Sequence, residues 1–147
     1  MPASTATLLQ HQTILNYLLK NGSWTPPGTL YVALFTVLPN ISTYGGTEVS
    51  GSGTSYARVA ITKDTGWTGP TGSPATEYNN TSDLTFPTPT GNWGTIVGAG
   101  LFNTDNLATA FSSSLLYVAQ LVSPKAVNNG DGAPRILAGQ LKITRAT

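Results

Sequence analysis

The chain has 147 residues, 39% hydrophobic and 9% aromatic, which suits one folded domain with a core and excludes two full-sized domains or a disordered chain. Only 9% of the residues are charged, against about 25% in ordinary soluble proteins, and the formal net charge is +1. The seven basic residues are scattered and make no patch able to displace counterions from a nucleic acid, while the lack of cysteine excludes disulfides and thiolate chemistry.

A surface with so few ions must be built from Thr, Ser, Asn and Gly, which lose water at lower cost than charges do. That suits an exterior covered by neighbouring subunits. The N-terminus lacks the charged start and long apolar run of a signal peptide. No stretch reaches the ~20 apolar residues of a membrane span. A cytosolic product that later enters an assembly, with no membrane and no nucleic-acid partner, is expected.

Residues 1–7 read as an extended N-terminal arm, small and polar, with Pro2 and the candidate contact residues Ser4 and Thr5. Ser4, Thr5 or Thr7 can cap a helix running to about Lys20. At 100° per residue Leu8, His11, Ile14, Leu15, Leu18 and Leu19 share one face, and Gln10, Thr13, Asn16 and Lys20 the other. The apolar face is expected to pack on the chain's own sheet. Asn21-Gly22 is a left-handed stop.

After the helix the pattern turns to strands. Thr29 to Val37 is apolar on both faces, with Leu30, Val32 and Leu34 on one and Tyr31, Ala33 and Phe35 on the other. Such a strand is buried from both sides. Pro39 to Gly53 is a loop by composition. Tyr56 to Thr62 alternates, with Ala57, Val59 and Ile61 expected inward and Tyr56, Arg58 and Thr62 outward. Gly66 to Ser82 is long for a structureless loop and reads as either a functional excursion or an interface arm. Further strands are expected near Leu84–Phe86, Thr95–Phe102, Leu115–Leu121 and Ile136–Thr144, with no internal repeat and no heptad array. The expected fold is mainly β: an antiparallel β-sandwich or barrel with one N-terminal amphipathic α-helix, residues 8–147 forming a single domain.

Signs of catalysis are thin. His11 stands alone on the apolar helix face and reads as a core or boundary side chain bonded to backbone. The acids Glu48, Asp64, Glu77, Asp83, Asp105 and Asp131 are dispersed in expected loops, with no spacing that picks out a glycosidase pair. Gly-x-Ser-x-Gly is absent, and Gly51-Ser52-Gly53 and Gly98-Ala99-Gly100 lack the phosphate-loop ending, so they read as turn or bulge glycines. Trp67, Tyr78 and Trp93 could stack on a sugar or close the ends of a sandwich. Neither a cofactor, a metal nor a catalytic residue is expected, and the chain reads as no enzyme.

One ordered series of segments carries a resemblance. It runs Leu30-Tyr31-Val32-Ala33-Leu34-Phe35-Thr36, Gly46-Thr47-Glu48-Val49-Ser50-Gly51, Tyr56-Ala57-Arg58, Thr85-Phe86-Pro87, Asn92-Trp93-Gly94-Thr95, Leu101-Phe102, Leu115-Leu116-Tyr117, Pro124-Lys125 and Val127-Asn128-Asn129-Gly130-Asp131. In this order, over about residues 8–144, the chain resembles a family of small tailed-phage proteins usually labelled tail-fibre-like. Residues 37–45 and Gly132-Ala133-Pro134 depart from the pattern.

The resemblance implies a virion protein whose partners are other virion proteins, the major capsid protein or tail proteins, and a homo-oligomer is expected. A capsid decoration or cement protein bridging the head lattice is the first expectation, because a fibre usually needs a shaft or a trimerising coiled segment and neither is read here. In that role Pro2, Ser4, Thr5 and the 66–82 excursion would drape over neighbours. The alternative is a tail-tip or tail-fibre-associated domain that binds a host-surface receptor or glycan through Trp67, Tyr78 and Trp93.

Overall fold

The structure is a computed structural model and describes residues 5–72 and 75–144. In chain order its elements are β1 (Thr5–Ala6), α1 (Leu8–Leu19), β2 (Thr29–Val37), β3 (Thr47–Glu48), β4 (Val59–Thr62), β5 (Trp67–Thr71), β6 (Glu77–Asn80), β7 (Leu84–Thr85), β8 (Gly94–Phe102), α2 (Phe111–Ser114), β9 (Leu115–Val127), β10 (Arg135–Ile136) and β11 (Lys142–Thr144). All the pairings are antiparallel. The main sheet runs β1-β9-β8-β2, and the outer edge of β2 is split between β4 along Thr29–Val32 and β3 at Phe35 and Val37. Two small sheets, β10-β7 and β11-β6-β5, make a second layer, so the fold is sandwich-like and no barrel closes among the described residues. No helix among them is long and apolar enough to cross a membrane.

The two-sided strand read in the sequence is β2, with the same bounds. Its side chains feed two cores. Val32 and Leu34 join Ile96 and Leu101 of the main sheet, Leu84 and Leu141 of the second layer, and Phe86 and Trp93 in a large cluster. Ala33 and Phe35 face the other way, into a smaller cluster with Phe102, Leu115 and Val118, roofed by Leu38, Ile41, Tyr44 and Phe111. The Gly98-Ala99-Gly100 segment makes no turn, though its first residue borders a register shift against β9. It lies in mid-strand, where a Cβ built on Gly100 would sit 2.5 Å from the Phe35 ring, so glycine there admits the largest side chain of the small cluster.

Several segments differ from expectation for tertiary reasons. The 66–82 excursion is the hairpin β5–β6, sealed into a sheet by β11. Asn80, nearly fully buried, ties that sheet down: its Nδ2 donates to the carbonyls of Ser82 and Leu137, and its Oδ1 accepts from the Leu141 N–H. The strand expected over 136–144 is broken into β10 and β11 by the 137–140 turn. Tyr56 and Arg58, expected outward, are both buried, and Ala57 is exposed. Of the expected arm, residues 1–4 (Pro2 and Ser4 among them) lie outside the described residues. Thr5 and Ala6 pair with Val118 and Tyr117 of β9, and Thr7 is fully buried, so these three residues belong to the fold rather than to an arm.

Candidate functional site

Helix α1 begins where the small core ends. The Thr7 hydroxyl accepts from the Gln10 N–H and donates 2.7 Å to the Leu115 carbonyl, which caps the helix and fastens it to β9 at once. The Leu8 N–H donates to the Ile41 carbonyl, and the Leu9 N–H to the Tyr44 hydroxyl. Asn21, with φ 52°, makes the left-handed stop at the far end.

The face that turns to the body is the unexpected one. Gln10 is buried and Leu9 and Thr13 are half-buried. The leucine face points the opposite way. Exposure climbs along it from 42% at Leu8 through 52% at Leu15 and 67% at Leu18 to 75% at Leu19, with Ile14 and Tyr17 also exposed. His11 lies on this exposed face, not in a core. Only the first half of the helix docks, by Leu9, Gln10 and Thr13; every residue from Ile14 to Lys20 is exposed, so the leucine face, expected to pack on the sheet, is left to solvent.

That docking leaves Leu8, Ile14, Leu15, Leu18 and Leu19 together as an apolar surface on the exterior. Full burial of a leucine is worth about 1.5–3 kcal/mol, so leaving Leu15, Leu18 and Leu19 wet forgoes a stabilisation of several times that unit. Contiguous patches of this kind mark contact surfaces, whereas single exposed leucines mean little. No charged residue stands between Leu8 and Leu19 to keep the surface hydrated.

Across the main sheet lies a second feature. Register along β8 and β9 passes from Ile96↔Lys125 to Gly98↔Gln120, so Leu121 to Pro124 bulge out opposite Val97 alone. Val122, in that bulge, is 84% exposed. Beneath the bulge a cavity of about 220 Å³ reaches down to Leu34, Phe86 and Ile96, and it adjoins a wider groove of about 580 Å³; Lys125, Pro134 and Arg135 line both. Arg135 and Asp83 form a loose, exposed pair at 3.6 Å. No periodicity within β9 signals the bulge, which is set by its partner strand.

The side chains expected to make contacts are not gathered in one place. Thr5 lies in β1 at the edge of the main sheet. Trp67 is half-buried against the large cluster, and Tyr78 is exposed on β6, its ring against Gly69. Trp93 is 4% exposed: its Nε1–H donates 2.8 Å to the Thr54 carbonyl, and its ring meets Tyr56 edge-on at 5.2 Å. It is therefore a core residue and does not extend any surface that Trp67 and Tyr78 offer.

Asp64, Asp83, Asp105 and Asp131 lie in loops as expected, but Glu48 and Glu77 stand in strands. Glu48, on β3, takes both Nε (2.9 Å) and Nη2 (2.7 Å) of Arg58, whose Nη1 donates to the Thr104 carbonyl. The guanidinium lies over the Phe102 ring at 3.6 Å. The Tyr56 hydroxyl donates to Glu48 and accepts from the Leu34 N–H. Burial pushes the Tyr56 pKa far up, and the Glu48 charge adds to that, so the phenol stays neutral. This network has its donors and acceptors matched and is almost wholly screened from solvent. It locks β3 and the start of β4 onto the split edge of β2. Glu77 pairs with Lys142 at 3.1 Å between β6 and β11. Among the described residues no three of His, Cys, Asp and Glu gather where a metal ion could be held.

The family model for the Podophage GP4 fiber I protein gp80 matches residues 4–144. No curated protein matches the chain.

Proposed function

The chain belongs to the Podophage GP4 fiber I protein gp80 family and is a bacteriophage virion structural component, and from that premise we propose that it is a non-enzymatic subunit of the tail-side fibre assembly, seated among its neighbours through the leucine face of α1. The single observation behind this reading is the partial docking of α1: Leu9, Gln10 and Thr13 meet the body, and the leucine face is left for another surface. Low surface charge supports it, because a threonine- and asparagine-rich exterior desolvates cheaply against neighbours. Glu48 and Glu77 are held in structural pairs with Arg58 and Lys142, and among the described residues His11 forms no ion pair, which argues against hydrolysis.

A head-decoration role is the second reading, favoured by the same low-charge exterior, which suits dense contacts on a lattice. The ground for ranking it first, the lack of any segment that could join subunits in a fibre, is weakened by α1. Copy number separates the two. Phage lacking this gene would be complemented with the wild-type chain or with Leu18→Gln/Leu19→Gln, and particles purified. The wild-type chain should be found at the tail in few copies, and the folded variant should be missing. Abundance approaching that of the major capsid protein, with density on the head, would transfer the chain to the decoration reading; full incorporation of the variant would remove α1 from the seating contact.

A further inference from the structure

We infer that the partner of the α1 leucine face is α1 of further copies of this chain, the helices running parallel so that Leu8, His11, Leu15 and Leu18 form a short coiled seam. The inference rests on the seating role given to α1 above and names what covers it.

The observations are these. Positions 8, 11, 15 and 18 are spaced three, four and three apart, the alternation of a 3.5-residue repeat in which each side chain meets its counterpart on an identical helix. All four are exposed on the side away from the body. Two repeats are too few to stand out as a heptad array in sequence. They suffice here because the fold already supplies the first turn: Thr7, Leu8 and Leu9 are bonded to Leu115, Ile41 and Tyr44, so helix nucleation does not depend on the partner.

Charge points to self-association. The twelve residues Leu8–Leu19 include no Asp, Glu, Lys or Arg, so identical helices meet without the like-charge repulsion such residues would bring, and none of them is there to attract a charged partner. Direction follows from where the body lies. Its contacts crowd the N-terminal turn, and exposure rises toward Leu19. A parallel arrangement sets the most exposed leucines against their own counterparts. An antiparallel one would drive them against the partner's Ile41 and Tyr44, whose side chains are already packed on the small core. His11 is the one polar member of the seam, and a lone polar side chain there fixes register.

The chain has no cysteine, so an introduced one is the only thiol present. In the full-length Leu18→Cys protein, mild oxidation should give a covalent dimer on non-reducing gels. Asn16→Cys, exposed on the flank of the same helix, should stay unlinked. Light scattering of the wild-type chain should give a multiple of 15.3 kDa, falling to the single-chain mass in Leu15→Gln/Leu18→Gln with an unchanged circular dichroism spectrum. A wild-type chain that stays at single-chain mass as concentration is raised would overturn the inference, as would equal linking of Asn16→Cys, or assembly that persists in the double variant. A monomer that joins only a different virion protein would overturn it too, while leaving the seating role of α1 intact.

Discussion

Replacing Glu48 by alanine would test whether a buried charge pair holds the split edge of β2. The Arg58 side chain is 0% exposed and that of Glu48 8%, so the pair sees almost no solvent. Without the carboxylate, the Arg58 Nε–H and Nη2–H lose their acceptor, and the Tyr56 hydroxyl loses its own. Breaking one side of a buried pair costs about 3–5 kcal/mol, because the other charge remains desolvated and alone. The Thr104 carbonyl and the Phe102 ring still face the guanidinium, which favours the lower end, about 3 kcal/mol. At roughly 3 °C per kcal/mol for a chain of this size, the melting midpoint falls by about 10 °C. Urea denaturation followed by circular dichroism measures the loss directly. The double variant Glu48→Met/Arg58→Met removes both charges and should regain most of it, since a well-packed apolar pair often equals a buried ionic one. A single variant within about 1 kcal/mol of the parent, or a double variant worse than the single, would refute the reasoning.

Two further outcomes follow from the same cores. Tyr56 keeps its proton in the native state while the unfolded chain releases it above its ordinary pKa of about 10, so this contribution to stability is complete below that pH and is lost as pH rises above it. Denaturation midpoints should therefore drop in strongly alkaline buffer, and Tyr56→Phe should flatten the drop, leaving the part due to Tyr117, whose pKa burial also raises; an unchanged slope would count against it. Gly100→Ala forces a methyl group onto the Phe35 ring and should cost about 1–3 kcal/mol, relieved by Phe35→Leu in the same chain; additive losses in the urea midpoints of the two changes would contradict the clash.

Local pattern was enough for the parts of this protein whose environment is written in their own residues. The apolar run from Thr29 to Val37 marked a strand buried on both sides, and the two clusters it feeds are the outcome. Asn21-Gly22 bounded the far end of α1 to within a residue, while the structure chose Thr7 among the three caps the sequence offered. The ordered series of strand and turn segments pointed to phage fibre-like proteins, and the matched family agrees. Strand alternation failed at Tyr56 and Arg58, because a carboxylate eight and ten residues away in sequence drew both side chains inward.

Tertiary structure alone decided which side of α1 is covered. A helical wheel separates apolar from polar but carries no statement of which side meets the body. Here Thr7, Leu8 and Leu9 hold the first turn at a fixed rotation, and that rotation turns Leu9, Gln10 and Thr13 inward and Leu8, Leu15, Leu18 and Leu19 out. The same is true of the cavity under the β9 bulge, which exists because four residues of one strand face one of its partner. Hydrophobic pattern declares what must leave water; the geometry of long-range pairing decides whether the chain itself covers it or leaves it to another surface.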